Sequence, residues 1–228
     1  MPCRIAVSKQ PRKKKHRQRP IAVADSDTPR RSIRLTVETL EVARGHDGFL
    51  RGKPEPVLLI AAYRANGLAP ALLVGRILVR AEVKSDMPCN VALGEQQLHY
   101  DARFAVTERI VVLVIAVEED SGDGVQALYT ALETPEQLLL YSAGDSVPAP
   151  RSLSDWAGND CSAPAAPTVE VLSASTRLEE LASSDKYISA AAFSVSTQAR
   201  TDEVWRLPFV SRDARNDWTL VLRMHVFP

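Results

Sequence analysis

The chain has 228 residues, with 28 Lys+Arg against 28 Asp+Glu, 45% hydrophobic and 6% aromatic residues, Gly 10 and Pro 15. This composition excludes wholesale disorder and a collagen-like fibre, and the length allows one large domain or two small ones with a proper core. No stretch approaches the ~20 consecutive apolar residues that a membrane-crossing helix needs. Cys3, Cys89 and Cys161 are odd in number and widely spaced, so neither a disulfide framework nor a zinc site is expected. The Met1 end has no apolar signal core, which points to the cytosol.

The first predicted element is an arm. Residues 1–34 hold 11 Lys/Arg against Asp25 and Asp27, a net +9, and the remainder of the chain is therefore −9. Arg12, Lys13, Lys14, Lys15, Arg17 and Arg19 follow one another with no hydrophobic periodicity. Residues 1–31 are expected to be a disordered cationic arm. It reads either as a hook for a polyanion, nucleic acid or an anionic lipid surface, or as a solvated tail that serves solubility. The arm has no aromatic to stack on bases, so no sequence-specific recognition is implied.

From Ser32 the chain reads as strands. Ile33, Leu35 and Val37 alternate with polar residues, and the parity then slips to Leu40 and Val42, as one bulge would cause. Strands are predicted over Val57–Tyr63, Leu72–Val83 and Gln97–Val106, with a turn at Ala65-Asn66-Gly67. Arg109–Glu118 is apolar and β-branched throughout, as a strand buried on both faces would be. Thr134-Pro135-Glu136-Gln137 predicts a short helix over Pro135–Tyr141. A Pro-, Ser- and Ala-rich loop is expected at about 143–167. Thr176-Arg177-Leu178-Glu179 is a capping box for a second short helix that stops near Ser183. Strands follow over Tyr187–Ser196 and Glu203–Val210, then a turn at Asp213–Asn216. In the last strand Trp218, Leu220, Leu222, Met224 and Val226 share one face, and Thr219, Arg223 and His225 the other. No period recurs. The fold class is all-β: one antiparallel β-sandwich over 32–228, with two short helices. The long loop could instead divide the chain in two, but the piece after it is small for independent stability.

Motifs for chemistry are few. No Gly-x-Ser-x-Gly elbow occurs, and His16, His46, His99 and His225 are scattered. Cys89 and His99 lack zinc-site spacing, and no Gly-rich loop with Lys-Ser/Thr follows a strand. A non-enzymatic protein is expected. One constellation stands out: acidic loops at strand ends, one holding Asp47 and Glu55, the other Glu118, Glu119, Asp120 and Asp123. Calcium takes six to eight oxygen ligands from converging loops, and alternate residues of an extended chain let Glu118 and Asp120 share an ion. The bland alternative is that these acids solvate two exposed loops.

These loops resemble the calcium- and lipid-binding second conserved domain of protein kinase C and the synaptotagmins, the C-two (C2) domain. Gly52-Lys53-Pro54-Glu55-Pro56 stands where that family has Gly-x-x-Asp-Pro-Tyr, and Val117-Glu118-Glu119-Asp120 where it has Val-x-Asp-x-Asp. Asp123-Gly124-Val125 is similar to its acidic residue before an Ile-Gly step, and Gln126–Leu132 with Thr134–Leu138 to the strand and short helix that follow. Val57 replaces an aromatic, Glu55 and Glu118 replace Asp, Pro54 stiffens the approach to Glu55, and Ser142–Ser196 is longer than the family expects. The resemblance implies a C-two-like sandwich and a binding or adaptor module that engages an anionic surface or partner with calcium assistance. Its implied calcium ligands are Asp47, Glu55, Glu118, Asp120 and Asp123. The rival layout is a coat-like jelly roll whose basic arm packages nucleic acid.

Overall fold

Alternation places the first strand. β1 (Arg30–Arg44) buries Ile33, Leu35 and Val37, then Leu40 and Val42, and its register on both neighbours shifts between Val37 and Thr39. The expected bulge is there. The structure, a computed structural model, describes residues 30–45, 53–66, 70–84, 86–105, 108–135, 138, 141–142, 153, 169–173, 176–182, 185–197 and 201–228. Of the arm expected over 1–31, only Arg30 and Arg31 are among them; of the loop expected at about 143–167, only Leu153.

The further elements are β2 (Pro56–Ala65), β3 (Leu72–Arg80), β4 (Cys89–Arg103), β5 (Arg109–Glu118), α1 (Asp123–Ala131), β6 (Tyr141–Ser142), β7 (Val169–Ser173), α2 (Thr176–Ala182), β8 (Lys186–Ser196), β9 (Thr201–Val210) and β10 (Asp217–Phe227). They form two antiparallel sheets, one of four strands in the order β4-β1-β10-β9 and one of six in the order β3-β2-β5-β8-β7-β6. The all-β sandwich is the fold. Strands from before and after the 143–167 segment lie side by side in both sheets, since β10 pairs with β1 and β8 with β5.

Two apolar layers hold it together. Between the sheets lie Leu58, Ile60, Val112 and Val114 on one side and Leu35, Trp218, Leu220 and Leu222 on the other, all buried. The opposite face of the six-stranded sheet carries Leu59, Tyr63, Val111, Leu113 and Ile115, and it is covered by Val125 and Leu128 from α1, by Leu132 just after it, and by Leu178 and Ala182 from α2. That second layer is why β5 has no polar face: every residue from Ile110 to Glu118 is buried. Tyr63 Oη donates to Leu132 O at 2.9 Å, and the Arg76 guanidinium lies 4.0 Å from the Tyr129 ring centroid, so side chains fasten α1 to the sheet.

One expectation is corrected. Gln126–Leu132, taken by resemblance as a strand, is helical as far as Ala131, because Val125, Leu128 and Leu132 recur at helical spacing towards the sheet. Of the helix expected over Pro135–Tyr141, only Pro135, Leu138 and Tyr141 are among the described residues: Leu138 N–H donates to Pro135 O at 3.0 Å, and Tyr141 belongs to β6. Thr134 Oγ1 donates to Ala131 O at 3.4 Å. The second helix occupies Thr176–Ala182 as its sequence suggests. β6 and β7 carried no sequence signal that was read as strand.

Candidate functional site

Five connections meet at one end of the sandwich: β1–β2, β3–β4, β5–α1, α2–β8 and β9–β10. The two acidic loops are therefore neighbours. Glu119 N–H donates to Glu55 O at 3.1 Å, and Glu55 N–H donates to Glu118 Oε1 at 2.7 Å. A cleft of about 470 Å³ opens beside them, lined by Lys53, Glu55, Arg80, Glu82, Val83 and Glu119 among others. Arg80 closes one wall with two bonds to Glu119, each 2.7 Å.

The residue that organises this end is Asp185, which the sequence reading did not single out. It is 3% exposed and sits just before β8. Its Oδ1 accepts from the backbone N–H groups of Asp120 (2.8 Å), Ser121 (2.7 Å) and Gly122 (3.1 Å), and its Oδ2 from Val125 N–H at 2.9 Å. Gly122, the N-cap of α1, has φ 85 and no side chain to cap with, so a carboxylate from the far side of the chain does the capping. Burial alone would raise the Asp185 carboxyl, but the N–H groups of Ser121, Val125, Gly122 and Asp120 prevail and hold it at about 2. Its only sequence signal was an acid just before a strand; its partners are sixty residues away.

The implied calcium ligands have separate fates. Asp47 lies outside the described residues. Glu55 is exposed on the loop, whereas Glu118 is 2% exposed with one oxygen engaged by Glu55 N–H. Asp120 contributes its backbone to Asp185, and Asp123 begins α1. Among the described residues no three His, Cys, Asp or Glu side chains gather to hold a metal ion. Beside them, Glu119 is tied to Arg80 and Asp185 to backbone N–H groups. Arg12, Lys13, Lys14, Lys15, Arg17 and Arg19, expected from the sequence to meet a polyanion, also lie outside the described residues.

A hydroxyl, an imidazole and a carboxylate do meet elsewhere, on the outer face of the four-stranded sheet. His99 Nε2 is 2.9 Å from Ser32 Oγ and 3.0 Å from Asp101 Oδ1, while Ser32 also bonds Asp101. In a hydrolytic triad the carboxylate orients the imidazole through the other ring nitrogen. Here both partners share Nε2, which is a surface hydrogen-bond cluster and no nucleophile–base relay. Among the described residues no helix is long and apolar enough to cross a membrane.

No known family pattern matches the chain, and no curated protein matches its sequence. Among solved structures, a C-two domain protein from Ramazzottius varieornatus is similar at 10% identity and a TM-score of 0.36, over 88% of this chain and 89% of that one. Human GIVD cytosolic phospholipase A2 is similar at 7% identity and a TM-score of 0.27, over 86% of this chain but 32% of the phospholipase. The same phospholipase in complex with methyl gamma-linolenyl fluorophosphonate gives 6% identity and a TM-score of 0.27, over 87% of this chain and 32% of that one.

Proposed function

We propose that the protein is a non-enzymatic binding or adaptor module that engages an anionic surface or partner through its basic arm. The observation that carries this reading is charge segregation: +9 within residues 1–34, ending in Arg30, Arg31 and Arg34 at the start of β1, against −9 in the rest. Six cations within residues 12–19 have no core to bury and no acid among them, so a polyanion is the partner their chemistry fits. The sandwich is the platform that holds the arm. Calcium is not built into this reading: Glu118 Oε1 accepts from Glu55 N–H and Glu119 is held by Arg80.

The test is retention on heparin. Replacing Arg12, Lys13, Lys14, Lys15, Arg17 and Arg19 with Gln should abolish salt-sensitive retention and leave the thermal midpoint unchanged. Equal retention of the variant would place the polyanion site elsewhere and overturn the reading. Large particles with co-purifying nucleic acid would favour the coat-like alternative.

A further inference from the structure

The cations of the arm do not stop where the fold begins. Arg30 opens β1 and lies directly opposite Arg103 on β4, both exposed. β1 buries Ile33 and Leu35, so Arg34 shares the outer face with Arg30, and its guanidinium stands 5.7 Å from the Phe227 ring centroid. Asp101 is the acid set among them, opposite Ser32. Its carboxylate is engaged by the Ser32 hydroxyl and by His99 Nε2 at 3.0 Å. Asp202, two strands away in the row of Arg34, faces Arg223 at 3.6 Å and His225 at 3.3 Å. Three arginines against one acid leave the patch at +2. The described lysines, Lys53, Lys84 and Lys186, all belong to the opposite end of the sandwich, beside the acidic loops.

Resting on the reading of the arm as a polyanion hook, we infer that Arg30, Arg34 and Arg103 form a second, ordered phosphate-binding site, and that the polyanion is a nucleic acid. Side-chain type is the first support. A guanidinium is a planar fork that clasps a phosphate through two hydrogen bonds, whereas a lysine meets it as a point charge. Spacing is the second. Arg30 and Arg34 are four residues apart, roughly 13 Å along β1, and a duplex-DNA strand carries a phosphate every ~3.4 Å of its axis. One strand laid along β1 therefore passes about four phosphates between them. Arg103, roughly 5 Å across from Arg30, doubles the charge where that strand would arrive from the arm. The arm's own composition is the third. From Lys9 to Pro20 no Val, Ile, Leu, Met, Phe, Tyr or Trp occurs, so the run offers a bilayer no side chain to insert, and stable membrane anchoring takes two signals. Counterion release from a phosphate chain needs charge alone. Phosphate contacts set position without reading bases, so no sequence preference is expected.

The experiment is fluorescence anisotropy of a labelled, mixed-sequence duplex DNA of about 24 base pairs, titrated with the full chain from ~0.05 to ~0.2 M salt. Each phosphate contact contributes about −0.9 to the slope of log affinity against log salt. Arg30→Gln with Arg34→Gln and Arg103→Gln should make that slope shallower by about 2–3. Arg30→Gln with Arg103→Gln, both at exposed positions, spares the packing of Arg34 on Phe227 and should make it shallower by about 1–2. Arg215→Gln removes an exposed cation at the loop end and should leave the slope unchanged. A wild-type slope in the double variant overturns the site, as does an equal change in Arg215→Gln, which would make overall charge the cause. Phosphatidylcholine vesicles with one quarter phosphatidylserine should bind less tightly than the duplex at equal accessible negative charge; tighter binding overturns the assignment to nucleic acid. Failure of the arm reading looks different: the six arm substitutions would then leave duplex binding intact.

Discussion

At the scale of single residues, Asp185 does what no local sequence pattern announces. Its carboxylate takes three backbone N–H groups from the loop between β5 and α1 and a fourth from Val125 in the first turn of α1, so it fixes that loop and supplies the missing N-cap of the helix. Asp185→Asn keeps the shape but presents N–H groups to donors, and it should cost about 1–3 kcal/mol, read from the urea midpoint at pH 7. Because the folded carboxyl titrates at about 2, below its ordinary 3.8, the stabilisation is whole above about pH 5 and disappears as the pH falls through 2. The wild type should therefore lose about 2 kcal/mol more than Asp185→Asn between pH 6 and pH 2. An equal acid loss in both would show that the bonds do not hold the carboxylate ionised. Glu118 tests the other reading of the same loops. With one oxygen on Glu55 N–H and 2% exposure, it is placed to fasten β5 to the β1–β2 loop. Millimolar calcium should leave the melting temperature unchanged; a rise of several degrees would mean that the loop around Asp47 brings donors enough for an ion.

At the scale of elements, the helical layer rests on one close approach. A Cβ at Gly124 in α1 would stand 1.7 Å from Ala182 O at the end of α2. Gly124→Ala gains about 1 kcal/mol of helix propensity, yet the two helices must part by more than an ångström, so a net loss of about 1–3 kcal/mol is expected in chemical denaturation. In the other layer, Leu222→Asp would place an unpaired charge where the side chain is fully buried, and about 4 kcal/mol or more should be lost. A parent-like denaturation midpoint would refute that assignment. These two sites also mark what was legible. The inward face of β10, the bulge in β1 and the bounds of β5 followed from period and apolarity, since each is a property of adjacent residues. The helix at Asp123–Ala131 was not, because its cap comes from Asp185 and its apolar stripe has the length of a strand. The short strands β6 and β7 exist through pairing with each other and β8, which no run of two to five residues declares. At the candidate site, Glu55 and Glu119 are neighbours, while Glu118 binds backbone and Glu119 binds arginine, partnerships that depend on contacts distant in sequence.

For the whole molecule, the zero net charge conceals two poles. β1 is fifteen residues long, so at ~3.3 Å per residue the cationic start at Arg30 stands roughly 45 Å from the acidic loop end beyond Arg44. The arm carries most of +9 and the remainder −9, while the sequence pI of about 6.9 leaves no overall repulsion near neutral pH. Opposite poles on a neutral particle attract between copies whenever the field reaches across the gap. At 0.01 M salt the screening length is about 30 Å, comparable with the molecule, and at 0.15 M it is about 8 Å, shorter than either pole. The chain should therefore self-associate at pH 7 in 0.01 M salt, seen as a larger hydrodynamic radius by light scattering, and disperse reversibly in 0.15–0.3 M salt. Neutralising Arg12, Lys13, Lys14, Lys15, Arg17 and Arg19 to Gln removes six positive charges from one pole and leaves the particle at about −6. That variant should stay monodisperse at every salt concentration. Association of equal extent in wild type and variant would mean that apolar β9 positions such as Val204 and Val210, rather than the charge poles, bring copies together, and added salt would then strengthen the contact instead of dissolving it.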